Sequence, residues 1–344
     1  MPIEIHTLLI AEGFREGWAL RPALGLWQLK SMDNMALLGD IGGTNSRFGL
    51  IELGSMEVHD VEILKNDNFP SLEAAITHYV DRRGITELEA AAVDVAAPVD
   101  RVEITLTNRD WTFSAESLRK AAKAKRFRLL NDFEALAWSL PHIKPEHLIQ
   151  IGGTVQSKRQ VKVVLGPGTG LGMATLAPLP GGGWMPIPGE LGHTTLPVVT
   201  DEELALKDKI VGKDKFAEVE DVLTGPGLLL LYRAIAEKPK HEKPEAVLQA
   251  ALKGGDAAAE KTLDHFMTFL ARLAGDAAMA LQARGGVYLA GGIAPSIAER
   301  LKNPKYRAIF EDKGRIADVM KPIPWFVITD PLPAFKGCAA ALNA

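Results

Sequence analysis

Residues Leu37 to Glu52 read LLGDIGGTNSRFGLIE. An apolar run delivers an acid, Asp40, into the turn Gly42-Gly43-Thr44-Asn45, and a second strand-like run, Phe48 to Leu53, leaves at once. The pattern is strand, glycine turn, returning strand. Glycine lacks a Cβ, so main-chain amides in such a turn can approach a ligand closely and form a nest for phosphate. An acid beside them would repel bare phosphate, which points to a divalent cation between the two. The stretch therefore reads as a nucleotide grip, although a glycine turn alone also makes a plain tight hairpin.

Working outward, Glu57 to Leu64 alternates as a third strand, Ser71 to Val80 has helical spacing, and Ala90 to Val95 is a buried strand of small residues ending at Pro98. Arg101 to Thr107 alternates as another strand. A helix follows Thr112-Phe113-Ser114, with Ser114 as N-cap; Ser117 stands at the third helical position instead of an acid, so no full capping box is expected. Arg126 to Leu130 is a short strand that stops at Asn131-Asp132, and Phe133 to Leu140 is helical up to Pro141. This puts Asp132 at the C-terminal edge of a strand, where open α/β sheets place ligands.

Lys144 to Gly153 marks the passage into a second domain. Gln160 to Leu165, the turn Gly166-Pro167-Gly168-Thr169-Gly170, and Leu171 to Leu176 repeat the strand, glycine turn and strand of the opening stretch. Two such units suggest two related halves closing on one nucleotide. Gly181 to Pro197 reads as a long loop and so as a functional one. Helices follow over Asp201 to Lys207, Leu228 to Ala236 after the Gly225-Pro226-Gly227 breaker, Pro244 to Leu252, and Asp256 to about Ala283. Val287 to Ala290 is a strand leading into Gly291-Gly292-Ile293-Ala294-Pro295. Pro324 to Thr329 is the last strand, and the alanine-rich Ala334 to Leu342 the last helix.

Composition narrows the chemistry. At 344 residues and 47% hydrophobic, the chain has room for two domains. Its 39 Lys plus Arg and 43 Asp plus Glu give a formal charge of -4 and are well mixed, so nothing marks a nucleic-acid or membrane surface. A single cysteine, Cys338, excludes an internal disulfide framework and a cysteine-based zinc cluster, and reads as a small buried apolar residue. No apolar run reaches the roughly 18 residues of a membrane span. Met1 to Ser31 carries Glu4, Glu12 and Glu16 and lacks a basic start with a continuous apolar core, so it makes a poor signal peptide. A cytoplasmic enzyme is expected, with residues 1–35 an extension outside the core fold, Met32 and Met35 being alternative starts.

Several chemistries lack their motif. There is no G-x-x-x-x-G-K-[ST] loop, neither glycine turn matches G-x-G-x-x-G, and both lead into strands where a dinucleotide fingerprint leads into a helix. G-x-S-x-G and H-E-x-x-H are also absent. Asn131-Asp132 can be a helix cap; read functionally, Asp132 is a general base that takes the proton from a substrate hydroxyl attacking phosphorus, with Asn131 bonding a neighbouring hydroxyl. Glu190 and His193, three residues apart, are only half a metal site and suit hydrogen bonding to a polyol better. Glu220 is a third candidate of this kind, a solvated helix face being its plain alternative.

Taken in order, LLGDIGGTNSRFGL, TNRDWTFS, LLNDFEALAWSLP, HLIQIGG, LGPGTGLGMATL, WMPIPGELGHTTL, EDVLTGPGLLLLYRAI, VYLAGGIAP, FEDKGR and the final alanine-rich helix resemble the bacterial glucokinase family. These are ATP-dependent hexose kinases of the sugar kinase and actin-like ATPase superfamily. The resemblance runs from Ala36 to Leu342. It implies a two-domain α/β fold of the actin-like, ribonuclease H-like kind: a smaller domain of residues 36–142 completed by the helix at 333–344, a larger one of residues 143–332, and a cleft between them. It also implies a homodimer.

By the same resemblance, Gly39, Asp40, Ile41, Gly42, Gly43 and Thr44 hold phosphate, Gly168, Thr169 and Gly170 the other side of the phosphates, and Gly291 and Gly292 the adenosine end. Asp132 activates the sugar 6-hydroxyl. Asn131, Glu190, His193 and Glu220 hold the other hydroxyls, with Asn108 as a further sugar-side residue. The implied cofactors are ATP and Mg²⁺, with Asp40 reaching the metal through water. Two departures stand out: the family more often reads P-G-E-G-G-H where this chain has Leu191, and it lacks the N-terminal extension. The alternatives are a kinase for mannose, fructose or an N-acetylhexosamine, and a non-catalytic sugar-sensing regulator. The related repressor, open-reading-frame and kinase family usually carries a cysteine-rich zinc motif, which one cysteine cannot supply. Sugar-sensing regulators carry a DNA-binding helix-turn-helix, for which Met1 to Met35 offers no basic recognition helix.

Overall fold

The computed structural model describes residues 34–106, 109–154 and 159–344. The expectations for residues 1–33 and for Asn108 lie outside them. Met35 itself begins the first strand, paired with Glu52 and buried, so it belongs to the core fold and not to the extension.

Thirteen strands occur among the described residues: β1 (Met35–Ile41), β2 (Asn45–Glu52), β3 (His59–Lys65), β4 (Leu88–Val95), β5 (Ile104–Thr105), β6 (Thr112–Phe113), β7 (Ala124–Asn131), β8 (Leu148–Gly152), β9 (Lys162–Pro167), β10 (Leu171–Pro178), β11 (Trp184–Gly189), β12 (Val287–Leu289) and β13 (Trp325–Ile328). The helices are α1 (Leu72–Arg82), α2 (Ala115–Ala121), α3 (Asp132–Ser139), α4 (Asp201–Val211), α5 (Gly225–Ile235), α6 (Pro244–Lys253), α7 (Ala257–Ala280), α8 (Ala294–Leu301), α9 (Pro304–Glu311), α10 (Ala317–Met320) and α11 (Pro333–Leu342).

One sheet has the order β3-β2-β1-β4-β7, the other β11-β10-β9-β12-β13-β8, and β5 pairs only with β6. The first five strands of each large sheet correspond one for one. Both glycine turns join antiparallel neighbours, β1 to β2 and β9 to β10, and both sheets then run parallel through β1-β4-β7 and β9-β12-β13. The repeated architecture read from the sequence is thus a repeated strand order, with β8 added antiparallel at one edge.

The apolar faces of each sheet are covered by helices. Leu37, Ile41, Phe48 and Val93 pack with Leu72, Ile76 and Tyr79 of α1. On the opposite face Leu38, Ala90 and Ala92 meet Phe335, Cys338 and Ala339 of α11, so the last helix closes the first sheet. The larger core gathers Val163, Leu165, Val287 and Leu289 with Phe266, Leu270 and Ala274 of α7. Burying a side chain of this size contributes about 1.5–3 kcal/mol.

Four local readings need correction. In the alternating stretch Arg101 to Thr107 the described residues form only the two-residue β5, whose strand partner among them is the equally short β6. Ser114 and Ser117 do form a reciprocal capping box at α2: each hydroxyl accepts the other's backbone N–H, at 3.0 and 3.1 Å, since a serine oxygen can accept as a carboxylate does. Gly181 to Pro197 is not all loop. It contains β11, an edge strand, where Pro186 and Pro188 need not donate to a further neighbour. Gly225-Pro226-Gly227 is the first turn of α5 and not a breaker before it, since the proline's missing N–H falls where a helix has no internal acceptor and Thr224 caps Gly227.

Candidate active site

The parallel register of β1, β4 and β7 brings three strand ends together. Asp40 lies beside Asp94, and Val95 beside Asn131. Asn131 is the N-cap of α3: its Oδ1 accepts the N–H of Phe133 at 3.0 Å and of Glu134 at 3.3 Å, while its Nδ2 donates to Ala97 O at 3.3 Å. The capping alternative therefore holds for Asn131. Asp132 is the first helical residue, accepting the Phe133 N–H at 3.0 Å. Desolvation by burial pushes its carboxyl up to about 6, the Phe133 N–H opposes this, and the negative charge of Asp40 adds to it. A carboxyl in that range is mostly ionised at neutral pH and still basic enough to accept a proton.

Asp40 pairs with Arg47 of the neighbouring strand at 2.8 Å. Asp94, which the sequence reading passed over, is fully buried at the same end of the sheet. Its Oδ2 accepts a hydrogen bond from the Cys338 thiol at 3.3 Å. Burial, then the charges of Asp40 and Asp132, push its carboxyl well above the usual range, which favours the protonated form. The one available signal was an acid inside the apolar run Ala90 to Val95. Cys338 is buried as expected, with the added role of donor to this acid.

Gly42 and Gly43 are not among the glycines of positive φ, so the first turn does not depend on left-handed backbone, and a Cβ on Gly42 would lie 3.4 Å from Asn45 O. Ile41 is buried in the core and offers the turn only its main chain. Gly43 and Thr44 are exposed. In the second turn Gly168 N–H donates to Gly170 O at 2.8 Å, and Gly225 N–H to Gly168 O at 2.8 Å, which ties the turn to the start of α5; Thr169 is exposed. Gly291 takes φ +83, and a Cβ there would lie 2.8 Å from Pro167 O, so the turn after β12 sits directly against the second glycine turn. Gly292 follows with open space around it.

The polar loop residues converge on this second turn. Glu220 Oε2 accepts the Leu171 N–H at 2.6 Å, and a Cβ on Gly170 would come within 2.4 Å of the same oxygen. Its Oε1 faces His193 Nε2 at 3.5 Å, while His193 Nδ1 lies 2.8 Å from Glu218 Oε2. The Glu218 hydrogen bond raises the His193 pKa, with Glu220 and Glu190 adding charge of the same sign. Glu190 precedes the short turn Leu191–His193 and is exposed. Leu191, the departing residue, packs its side chain against the larger core. Glu218 was not legible as a partner, because it lies beyond α4 and is brought to this loop by the bridge between Thr195 and Glu218.

The two clusters are joined by Phe133. A Cβ on Gly172 would fall 2.0 Å from its ring, so the residue after Asp132 packs onto the strand that begins with Leu171. Asp132 thus stands near the acid that leads into the first glycine turn, and Phe133 carries the start of α3 onto Gly166 and Gly172, which flank the second. A family model described as Glucokinase matches residues 37–344.

The chain belongs to the glucokinase family.

It is 35% identical over 315 residues to the glucokinase of Marinobacter nauticus, covering 90% of this chain and 98% of the relative. It is 37% identical over 316 residues to the glucokinase of Chromohalobacter salexigens, covering 91% and 98%. Among solved structures it superposes on a glucokinase from an Antarctic psychrotroph with a TM-score of 0.81 at 28% identity, covering 90% of this chain and 99% of that one. The fold is the two-domain actin-like ATPase fold of glucokinases. No helix among the described residues is long and apolar enough to cross a membrane.

Proposed function

We propose that this chain is an ATP-dependent glucokinase that transfers the γ-phosphoryl group of ATP to the 6-hydroxyl of D-glucose, giving ADP and glucose 6-phosphate, the first step of glycolysis. The observation that carries this reading is Asp132, a desolvated carboxyl at a strand end with a pKa of about 6, beside the acid that leads into the first glycine turn. Residues 36–142 with 333–344 form one domain and 143–332 the other, and the substrates meet between them.

Asp132 accepts the 6-hydroxyl proton as oxygen attacks phosphorus in line, and the amides of Gly42 to Thr44 and Gly168 to Gly170 receive phosphate oxygens. Gly39, Asp40 and Ile41 shape the approach to the first turn, and Gly291 and Gly292 line the adenosine end. Glu190, His193 and Glu220 hold the remaining hydroxyls, since carboxylates accept and an imidazole can do either. Asn131 keeps one Nδ2 hydrogen for the sugar, its oxygen being committed to the cap. Closure excludes water, which would otherwise compete as phosphoryl acceptor.

Among the described residues no group of three or more His, Cys, Asp or Glu side chains is placed to hold a metal ion. A single carboxylate, already paired with Arg47, suits a Mg²⁺ ion carried mainly by phosphate oxygens and water, with Asp40 at its outer shell. Bound there, the ion offsets phosphate charge. We place the enzyme in the cytoplasm, as a homodimer. One second reading, a kinase for another hexose, rests on Leu191, which stands where the family more often has glycine, in the loop we assign to the sugar, and packs against the larger core. An ADP-release assay over glucose, mannose, fructose and N-acetylhexosamines tests both. Glucose preferred over the others supports the first reading, and no ADP release with any sugar sinks both.

A further inference from the structure

The first glycine turn is held from behind by a residue to which the reaction assigns no part. Asn66 opens the short turn Asn66–Asn68 after β3 and is fully buried. Its Nδ2 donates to Gly42 O at 2.8 Å and to Gly43 O at 3.1 Å, using both hydrogens. Its backbone N–H donates to Thr44 O at 2.9 Å. Its Oδ1 accepts the hydroxyl of Ser46, itself fully buried, at 2.7 Å. Three successive carbonyls of the turn therefore end on one residue. Carbonyl oxygens only accept, so the amide must turn its NH₂ toward them, which leaves its oxygen to Ser46.

The consequence follows from the planarity of the peptide. In a trans peptide the C=O and the next residue's N–H point in opposite directions. With the carbonyls of Gly42 and Gly43 drawn toward Asn66, the N–H groups of Gly43 and Thr44 are both set on the far side. Successive amides facing one way are what an anion requires. Arg109 adds a longer contact to Gly43 O at 3.5 Å while paired with Asp67, so the carbonyl side of the turn is occupied by donors from two segments.

We propose that Asn66 is a positioning residue for phosphoryl transfer: from behind the turn, with Ser46 orienting its side-chain amide, it fixes the Gly43 and Thr44 amides in the direction that receives the phosphates of ATP. This rests on the phosphate reading of the Gly39 to Thr44 turn. Asn66 touches neither substrate. It acts through the backbone of the residues that do.

The test uses the full chain and compares Asn66→Asp, which keeps the shape but sets oxygens against two carbonyls, with Ser46→Ala, which leaves the amide and removes what orients it. Gly43→Leu serves as the control that obstructs the turn directly. Steady-state kinetics, thermal melting, and calorimetric binding of tripolyphosphate and of adenosine are measured for each. Loss of one to two hydrogen bonds predicts a KM for ATP raised about ten-fold or more in Asn66→Asp and a smaller rise in Ser46→Ala. Tripolyphosphate binding weakens in parallel, while adenosine binding and the KM for glucose stay within about two-fold, by the same division of contacts. Should Asn66→Asp fail to fold, Ser46→Ala carries the test alone. Equal losses for glucose, adenosine and ATP that track the melting temperature would reduce Asn66 to a structural residue and overturn the proposal. If Gly43→Leu loses tripolyphosphate and both other variants keep it, the proposal falls while the phosphate reading stands. If Gly43→Leu keeps it too, the phosphate reading falls first.

Discussion

Glu220 binds the Leu171 N–H through one carboxylate oxygen at 2.6 Å and faces His193 through the other at 3.5 Å. One side chain thus connects the second glycine turn to the loop assigned to the sugar. Removing it should affect both substrates. Glu220→Ala leaves the Leu171 amide without its acceptor, a loss of about 1–3 kcal/mol, and should raise the KM values for glucose and ATP together. Glu220→Gln retains a carbonyl acceptor for that amide and should recover ATP binding more than glucose binding, as two-substrate kinetics will show.

Asp132→Asn should lower kcat by about 10²–10⁴-fold with glucose binding retained, the range expected for loss of a general base. Most of the activity surviving would exclude that role. In the unmodified enzyme kcat/KM should fall as pH drops through about 6, because the base must be deprotonated to act. Asp40 raises the Asp132 pKa, so Asp40→Asn should move this acid limb to lower pH.

Glu190→Gln should raise the KM for glucose and leave that for ATP nearly unchanged, since Glu190 stands at the head of the polar loop and away from both glycine turns in sequence. A rise confined to ATP would reverse the assignment.

Asp94 predicts a pH-dependent stability. Burial raises its folded pKa well above the ordinary carboxyl value, so between the two the folded chain holds a proton that the unfolded chain has released. Stability from this group is complete below the lower value and declines as pH rises, by at most about 1.4 kcal/mol per pH unit. Asp94→Asn removes that dependence. Urea denaturation at pH 5 and pH 8 should show the variant gaining on the parent as pH increases.

Gly172→Ala should cost about 1–3 kcal/mol by overpacking against Phe133 and also lower kcat, because the displaced ring follows Asp132 directly in α3. Melting temperature and kcat together check this; a variant with both unchanged would mean that the two clusters are not mechanically joined there.

The glycine turns, the strand bearing Asp132 and helices such as α1, α3, α6 and α7 were legible because each depends on neighbours in sequence: an apolar period or a cap. What escaped depends on pairing across the fold. Asp94 matters only because β4 lies between β1 and β7, Glu218 because a bridge brings it to His193, and Asn66 because β3 ends beside the first turn. The strand β11 was hidden by its own prolines, which an edge position makes harmless.

The matched order of the two sheets also bears on Asp330. Strand β13 occupies the place that β7 holds in the other sheet, and each is followed by an acid and then a helix, Asp132 with α3 and Asp330 with α11. The two helices pack on one another. Asp330, however, is buried in an ion pair with Lys336 and accepts the Leu332 N–H, so it is occupied in fastening its own helix. Equivalent positions in the two halves have thus diverged: one carboxyl remains open to a reactant, and its counterpart has become a clasp that holds the closing helix of the first sheet in place.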